Sequence, residues 1–349
     1  MDAPRLSLFC LALCLVAGPA PAAFTSRAGT PPRKIVLATV LAEFSGPLAG
    51  RLQLAGVLID DAARTAAGQH AVGGLDLMVF PQFTFATGST GAATEQAVPL
   101  EGPVLELLGA KAREHHTWII APMTLREADR ISNAAVLINR SGVVAGIYRK
   151  THPICDDRGV FEGGVTPGTA YPVFDCDFGR LGILICWDMN YAEAWDTFAV
   201  AGAEIVALPS ASPQTLRPMA EALRHHYYVV TSTPKDNATI FDPIGRSVAQ
   251  VVVKPGVAVQ QIDLAYAILH WSETLHEGRA LTDRFGRKAG YLYSEREDTG
   301  VFWSNDPQRS IGSMIHELGL REMPEYVDAM DEAARKSNAL VRETPSRGK

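Results

Sequence analysis

Short apolar, β-branched segments alternate with segments of helical periodicity from Lys34 to Asp263. Predicted strands are 34–41, 75–80, 118–122, 172–175, 181–185, 205–208, 228–232, 239–241 and 257–262, with a hairpin over 134–148, and predicted helices are 54–67, 104–114, 192–201 and 216–225. This alternation is typical of sheets covered by helices on their outer faces. Because no internal repeat or low-complexity linker interrupts 34–263, we predict one α/β domain there.

The remainder of the chain, 264–349, is charged and irregular and is predicted to form a C-terminal extension. Its most unusual stretch contains two adjacent aromatic residues, Phe302 and Trp303. Exposed aromatics in such a segment indicate packing on the main domain or on a partner subunit. A charged helix is predicted over 317–337.

The N-terminus has the pattern of a secretory signal peptide. Arg5 precedes an apolar run over 6–18, and small residues and prolines follow. This order predicts a signal peptide over 1–22, cut after Ala22, and a linker over 23–33. The apolar run is shorter than the roughly 20 residues that span a bilayer. We therefore expect a secreted or periplasmic protein with no membrane attachment after cleavage.

The composition of the chain indicates a globular protein and argues against nucleic acid as a partner. Hydrophobic residues make up 47% of the chain, which indicates a substantial core, and the net charge is −6 with no long basic stretch. Nucleic acid is therefore not an expected partner.

Cleavage leaves Cys155, Cys176 and Cys186, an odd number, so at least one thiol stays free or pairs between chains. A disulfide between Cys155 and Cys176 and two unpaired buried thiols remain alternatives, and no Cys-x-x-Cys motif supports a thiol-redox protein.

Two segments place reactive side chains at the ends of predicted strands. Cys186 ends an apolar strand and precedes a predicted helix, where backbone N–H groups can stabilise a thiolate. Taken alone, an isolated cysteine in this position is better explained as a small buried residue at the end of a core strand. Lys150 ends the hairpin and can stabilise an oxyanion, although an exposed lysine is the usual case.

A third strand ends at Pro81 and Gln82, and by itself it is an ordinary core strand with a turn. The histidine pairs at 115–116 and 225–226 lack the i, i+4 spacing of a zinc-binding helix, so no metal site is predicted.

In their order and spacing the three segments resemble the nitrilase superfamily of carbon–nitrogen hydrolases. Members carry a strand ending in Phe/Leu-Pro-Glu, then Tyr-Arg-Lys-x-His, then Gly-x-x-Ile-Cys-x-Asp, and the resemblance extends over about 34–263. It implies a four-layer α-β-β-α sandwich that pairs into a homodimer or a higher oligomer. It also implies a small amide, nitrile or carbamoyl substrate and no metal or cofactor.

The resemblance implies a role for each site residue. Cys186 is the nucleophile, while Lys150 and the backbone N–H of Trp187 hold the developing oxyanion. Glu162 falls near the family's second acidic residue, which positions the substrate and the lysine. Gln82 stands where the family has its general-base glutamate.

Gln82 is the departure from the family pattern. A neutral amide cannot accept a proton, and general-base catalysis is worth about 10²–10⁴-fold. Three explanations follow: a hydrolase that uses another base, an impaired relative that acts as a binding or scaffold protein, or an engineered trap of the covalent intermediate.

Overall fold

The structure is a computed structural model that describes residues 27–69, 73–86 and 91–343. The predicted signal peptide lies outside these residues. The described strands are β1 Lys34–Leu41, β2 Leu77–Val79, β3 Val98–Pro99, β4 Trp118–Arg126, β5 Ile131–Ile138, β6 Val144–Arg149, β7 Val173–Cys176, β8 Gly179–Ile183, β9 Ile205–Pro209, β10 Tyr228–Ser232, β11 Ala238–Phe241, β12 Ser247–Val251, β13 Gly256–Asp263, β14 Tyr266–His270, β15 Ala289–Ser294 and β16 Thr299–Ser304. The described α-helices are α1 Leu48–Gln69, α2 Ala93–Gln96, α3 Pro103–Glu114, α4 Ala192–Val200, α5 Leu216–His225, α6 Arg279–Phe285, α7 Ile311–Glu317 and α8 Met323–Glu343.

Two mixed sheets form the centre of the molecule. The first has the order β13-β1-β2-β4-β5-β6, with β3 beside β4, and the second has the order β12-β11-β10-β9-β8-β7. Apolar side chains from both sheets, such as Leu37 and Ile183, share one buried cluster that also includes Trp195 on α4. A second cluster packs α1 and α3 on the other face of the first sheet. The predicted four-layer α-β-β-α sandwich is therefore confirmed.

The strand directions bring the three predicted segments to one edge of the sandwich. β2 and β4 run parallel, and β6 is antiparallel to β5, which is itself antiparallel to β4. The C-terminal ends of β2 and β6 therefore leave the first sheet at the same edge. Gln82 follows β2 and Lys150 follows β6, whereas Cys186 follows β8 in the second sheet.

Several element bounds differ from the prediction. α1 begins at Leu48 rather than at 54, and β4 continues to Arg126 rather than ending at 122. β8 ends at Ile183, although the prediction continued it to 185. The next residue still donates its N–H to the Ala207 carbonyl at 3.0 Å, so the chain stays beside β9 up to the cysteine.

The prediction that 264–349 is irregular was wrong. β14, β16 and β15 form an antiparallel sheet with its own apolar cluster, which includes Phe302 and Met314. The helix predicted over 317–337 is also wrong at its start, because α7 ends at Glu317 and α8 begins at Met323. Gly319, with a φ of +67°, lies between them in a conformation that helices do not adopt.

The described end of the predicted linker, from residue 27 onward, is packed against this third sheet. Ala28 is buried in the cluster of the third sheet, and its carbonyl accepts the Gly312 N–H at 2.7 Å. The Arg27 guanidinium donates to the Tyr266 hydroxyl at 3.0 Å and to the Ala203 carbonyl at 2.7 Å. The chain is thus fixed before β1 begins. Among the described helices, none is both long enough and apolar enough to cross a bilayer.

Gly168 lies against the strand end that carries Lys150, which gives a stability prediction. A Cβ there would be 2.9 Å from the Arg149 carbonyl carbon and closer still to its oxygen. Backbone atoms cannot move aside cheaply, so Gly168→Ala should lower the free energy of unfolding by about 1–3 kcal/mol. Gly50→Ala on α1 is the control, because nothing lies within 4 Å of its added Cβ. Urea unfolding measures both, and an unchanged Gly168→Ala midpoint would contradict the prediction.

Candidate active site

Cys186 lies at a sharp turn between β8 and the next helix. It opens a short 3-10 helix over Cys186–Asn190 with a left-handed φ of +51°, which non-glycine residues rarely adopt. The thiol-bearing residue is 7% exposed, and it lines a cavity. The Trp187 N–H makes no hydrogen bond to any other residue that the structure describes, so it is available to a ligand.

Lys150 and Glu162 form a buried ion pair beside the cysteine. Lys150 is 1% exposed, and its Nζ donates a short hydrogen bond to Glu162 Oε1. The same oxygen accepts the Ile154 N–H at 3.1 Å, and Glu162 Oε2 accepts from Asn133 Nδ2 at 2.7 Å. Each carboxylate oxygen therefore has a donor, and the ion pair holds the lysine Nζ at the cavity wall.

Gln82 is buried and held by a hydrogen bond of its own. Its Oε1 accepts the Ala211 N–H at 3.2 Å, which connects the turn after β2 to the loop after β9. Its Nε2 has no hydrogen-bond partner within the part of the chain that the structure describes. A glutamate could accept the same Ala211 hydrogen bond, so the local packing suits either side chain.

These four side chains meet in a cavity of about 610 Å³. The sequence placed them on separate segments, and the structure brings Gln82, Lys150, Glu162 and Cys186 to its wall together. Most of the remaining lining is apolar: Ala42, Phe44, Pro81, Phe83, Ile154, Ala211 and Pro234. Such a cavity can admit a small organic molecule and present its polar group to the thiol.

Two charged residues of this wall, Glu43 and Arg51, were missed by the sequence analysis. The buried Arg51 guanidinium donates to the Gly46 carbonyl at 3.0 Å and to the Phe83 carbonyl at 3.1 Å, and burial lowers its pKa. It thereby joins the loop that carries Glu43 to the turn that carries Gln82. Glu43 follows β1 by two residues and Arg51 lies in α1, and neither belongs to the three segments that the sequence singled out.

The three cysteines of the described chain are all free thiols. Cys155 is exposed, whereas Cys176 is partly buried, and burial raises the pKa of Cys176 to about 12. No disulfide joins Cys155 to Cys176 in this structure.

One group of potential metal ligands occurs away from the cavity. Asp60, Glu114 and His115 bring their polar atoms within 4.8 Å of one another. The Lys111 Nζ lies among them, 2.7 Å from Asp60 and 2.9 Å from Glu114. The lysine already supplies the positive charge that these carboxylates need.

The two central sheets and the largely apolar cavity at their edge define the fold class and the candidate site of an α/β protein. The sequence profile of the carbon-nitrogen hydrolase family matches residues 42–269. The chain therefore belongs to this family, within the nitrilase superfamily.

Individual relatives agree with this assignment. Human deaminated glutathione amidase is 28% identical over 217 residues, which cover 53% of this chain and 65% of that protein. A nitrilase of Pyrococcus abyssi is 30% identical over 167 residues, or 46% of this chain and 62% of that one. The chain thus spans less than two thirds of the length of either relative.

Solved structures share the fold at low sequence identity. The NitFhit protein of C. elegans has a TM-score of 0.58 at 21% identity, over 68% of this chain and 62% of that chain. A carbon-nitrogen hydrolase from Helicobacter pylori has a TM-score of 0.56 at 19% identity, over 66% of this chain and 90% of that chain.

The buried ion pair predicts a large effect when only one partner is removed. Lys150→Met leaves the Glu162 carboxylate buried without its cation, so it should lower the free energy of unfolding by about 3–5 kcal/mol. Adding Glu162→Gln should recover part of this loss, because it removes the uncompensated charge. Lys336→Met is the control, since its ion pair with Glu332 is exposed. Chemical denaturation decides, and a Lys150→Met midpoint equal to that of Lys336→Met would disprove the prediction.

Proposed function

We propose that the protein is an exported carbon–nitrogen hydrolase that cleaves a non-peptide C–N bond of a small amide, nitrile or carbamoyl compound. The observation that carries the proposal is that Cys186, Lys150 and Glu162 line one largely apolar cavity. Relatives named as amidases, nitrilases and a β-ureidopropionase support this range of substrates. Export rests on the predicted signal peptide.

The proposed chemistry begins with the thiol. For an amide, Cys186 Sγ attacks the carbonyl carbon, and the oxyanion is held by the Lys150 ammonium and the Trp187 N–H. The C–N bond then breaks, a thioester remains on the cysteine, and ammonia leaves with the thiol proton. Water adds to the thioester, the C–S bond breaks, and the carboxylic acid leaves as the thiol regains its proton. Glu162 keeps the lysine in place throughout.

Gln82 limits this cycle because it cannot take the proton of the thiol or of water. The alternative is therefore a catalytically impaired protein of the same fold that acts as a binding or scaffold protein. Glu43 is the other carboxylate on the described cavity wall besides Glu162, and it pairs only loosely with Lys254, at 3.5 Å. It is the first residue to replace if the wild-type protein turns over.

The decisive comparison is between the wild-type protein and Gln82→Glu. Both are incubated with a panel of amides, nitriles and N-carbamoyl compounds, product release is followed, and intact mass is searched for adducts on Cys186. Restoring the carboxylate should raise the turnover rate by about 10²–10⁴-fold. The reason is that the carboxylate introduced at position 82 can accept a proton, whereas the amide of Gln82 cannot.

Cys186→Ala in the Gln82→Glu background is the control, and it should remove both the adduct and the product. Turnover by the wild-type protein at the rate of Gln82→Glu would mean that another group supplies the base. If neither protein forms an adduct or a product, the hydrolase proposal fails and the binding protein is favoured.

We also propose that two copies pair through the layer formed by α4 and α5. Val200 and Leu216 are 72% and 75% exposed there, and Leu223 and Met219 add further apolar surface. Exposed apolar side chains of this kind mark a contact with another protein surface.

Light scattering tests the pairing. The wild-type protein should be a dimer, and Leu216→Glu should shift it to the monomer because a charge would be buried in the contact. Val57→Glu on α1 is the matched control, since that valine is also half exposed but lies on the opposite outer layer, and it should stay dimeric. A wild-type protein that is monomeric at every concentration would refute the pairing.

A further inference from the structure

Asp188 is a fully buried carboxylate two residues after the thiol, and it is not part of the cavity wall. It has three hydrogen-bond donors. Oδ2 accepts from the Tyr148 hydroxyl at 2.6 Å and from the Ile185 N–H at 3.0 Å, while Oδ1 accepts the His152 N–H at 2.8 Å. Asp188 is not among the site residues predicted from the sequence.

The donors belong to the two segments that carry the reactive groups. Tyr148 and His152 stand two residues before and two residues after Lys150, and Ile185 immediately precedes Cys186. The lysine segment leaves the first sheet at β6, whereas the cysteine turn leaves the second sheet at β8. The Asp188 side chain therefore makes hydrogen bonds both to the segment that carries Lys150 and to the turn that carries Cys186.

A carboxylate suits this arrangement better than an amide. Each Asp188 oxygen accepts a backbone N–H, Oδ2 from Ile185 and Oδ1 from His152, so an asparagine in the same place would direct its own Nδ2 hydrogens at one of these donors. Burial raises the pKa of Asp188, and its three hydrogen bonds favour the charged form. Burial also raises the pKa of the Tyr148 hydroxyl well above its ordinary value, so Tyr148 remains a donor.

The cysteine turn needs such support. Cys186 holds a left-handed φ of +51°, a strained conformation for a non-glycine residue that persists only when its surroundings enforce it. The bond from Ile185 to Asp188 closes the first turn of the 3-10 helix. The bonds to the lysine segment prevent that turn from shifting relative to Lys150.

We propose that Asp188 is the positioning residue that fixes Lys150 and Cys186 relative to each other across the two sheets. The proposal rests on the proposed hydrolase function for its catalytic consequence, but the coupling of the two segments exists independently of activity. Asp188 touches no substrate and exchanges no proton in this role.

Hydrogen–deuterium exchange of the full chain tests the coupling without any substrate. Asp188→Asn should speed exchange in peptides covering both 148–154 and 183–190. Asp242→Asn is the matched control, because Asp242 is also buried and accepts the Ile244 and Arg246 N–H groups, at 3.1 and 2.9 Å, in a turn outside the cavity wall. It should affect its own turn only. Faster exchange in Asp188→Asn confined to 183–190 would overturn the coupling.

Steady-state kinetics test the positioning role. They are measured in whichever background, wild type or Gln82→Glu, hydrolyses a compound of the panel. Asp188→Asn should lower kcat by about 100-fold with little change in KM, because a displacement near 1 Å is enough for such a loss. Asp242→Asn should retain kcat at temperatures where it is folded. Should Asp188→Asn not fold, Tyr148→Phe removes one of the three hydrogen bonds to Asp188, together with the contacts of the hydroxyl to Thr151, and should lower kcat by a smaller factor.

An unchanged kcat in a folded Asp188→Asn or Tyr148→Phe protein would refute the positioning role. If no parent turns over any compound, the hydrolase proposal fails by itself. The exchange experiment then still decides whether Asp188 couples the two segments.

Discussion

The face-to-face packing of two mixed sheets is the constraint on which the rest of this structure depends. Apolar side chains from both sheets fill the space between them, and strands buried on both faces must carry nearly continuous apolar sequence. The charged and nucleophilic residues of the cavity therefore stand beyond the strands, whereas the polar residues within the strands, such as Thr39 and Asn133, are uncharged. Gln82, Lys150 and Cys186 each follow such a strand, and the parallel direction of β2 and β6 brings the first two to one edge. The position of the candidate site therefore follows from where the buried strands of the two sheets end.

The layers could be predicted because the alternation of strand and helix segments is local in sequence, whereas the four lining residues were identified through the motifs that resemble the nitrilase superfamily. An apolar strand that runs directly into Cys186 is visible without any knowledge of its neighbours. Glu43 and Arg51 were missed because Arg51 lies within α1 and Glu43, although it follows β1, belongs to none of the three motif segments. Within the third sheet, β15 gives no clear sequence signal, because it is mostly half-exposed and its residues lack a clean alternation of apolar and polar side chains.

Gln82 meets the packing requirements of its position but not the requirement for a proton acceptor. Its Oε1 accepts the Ala211 N–H as a carboxylate oxygen would, so the turn and the cavity wall keep their form. Proton transfer is different, because an amide has no basic site at neutral pH. Lys150 and Glu162 show the opposite case, in which both the packing and the proposed chemistry require the charges, since either ion alone would be buried without compensation.

The anchoring of Ala28 has a practical consequence for the design of expression plasmids. Its burial under α7, together with the two Arg27 hydrogen bonds, makes this short stretch a structural part of the third sheet. A recombinant chain that starts at β1 would open an apolar surface on that sheet and invite aggregation. A start site upstream of Arg27 retains the anchor, and a purification tag is better joined beyond α8, whose described surface is largely exposed.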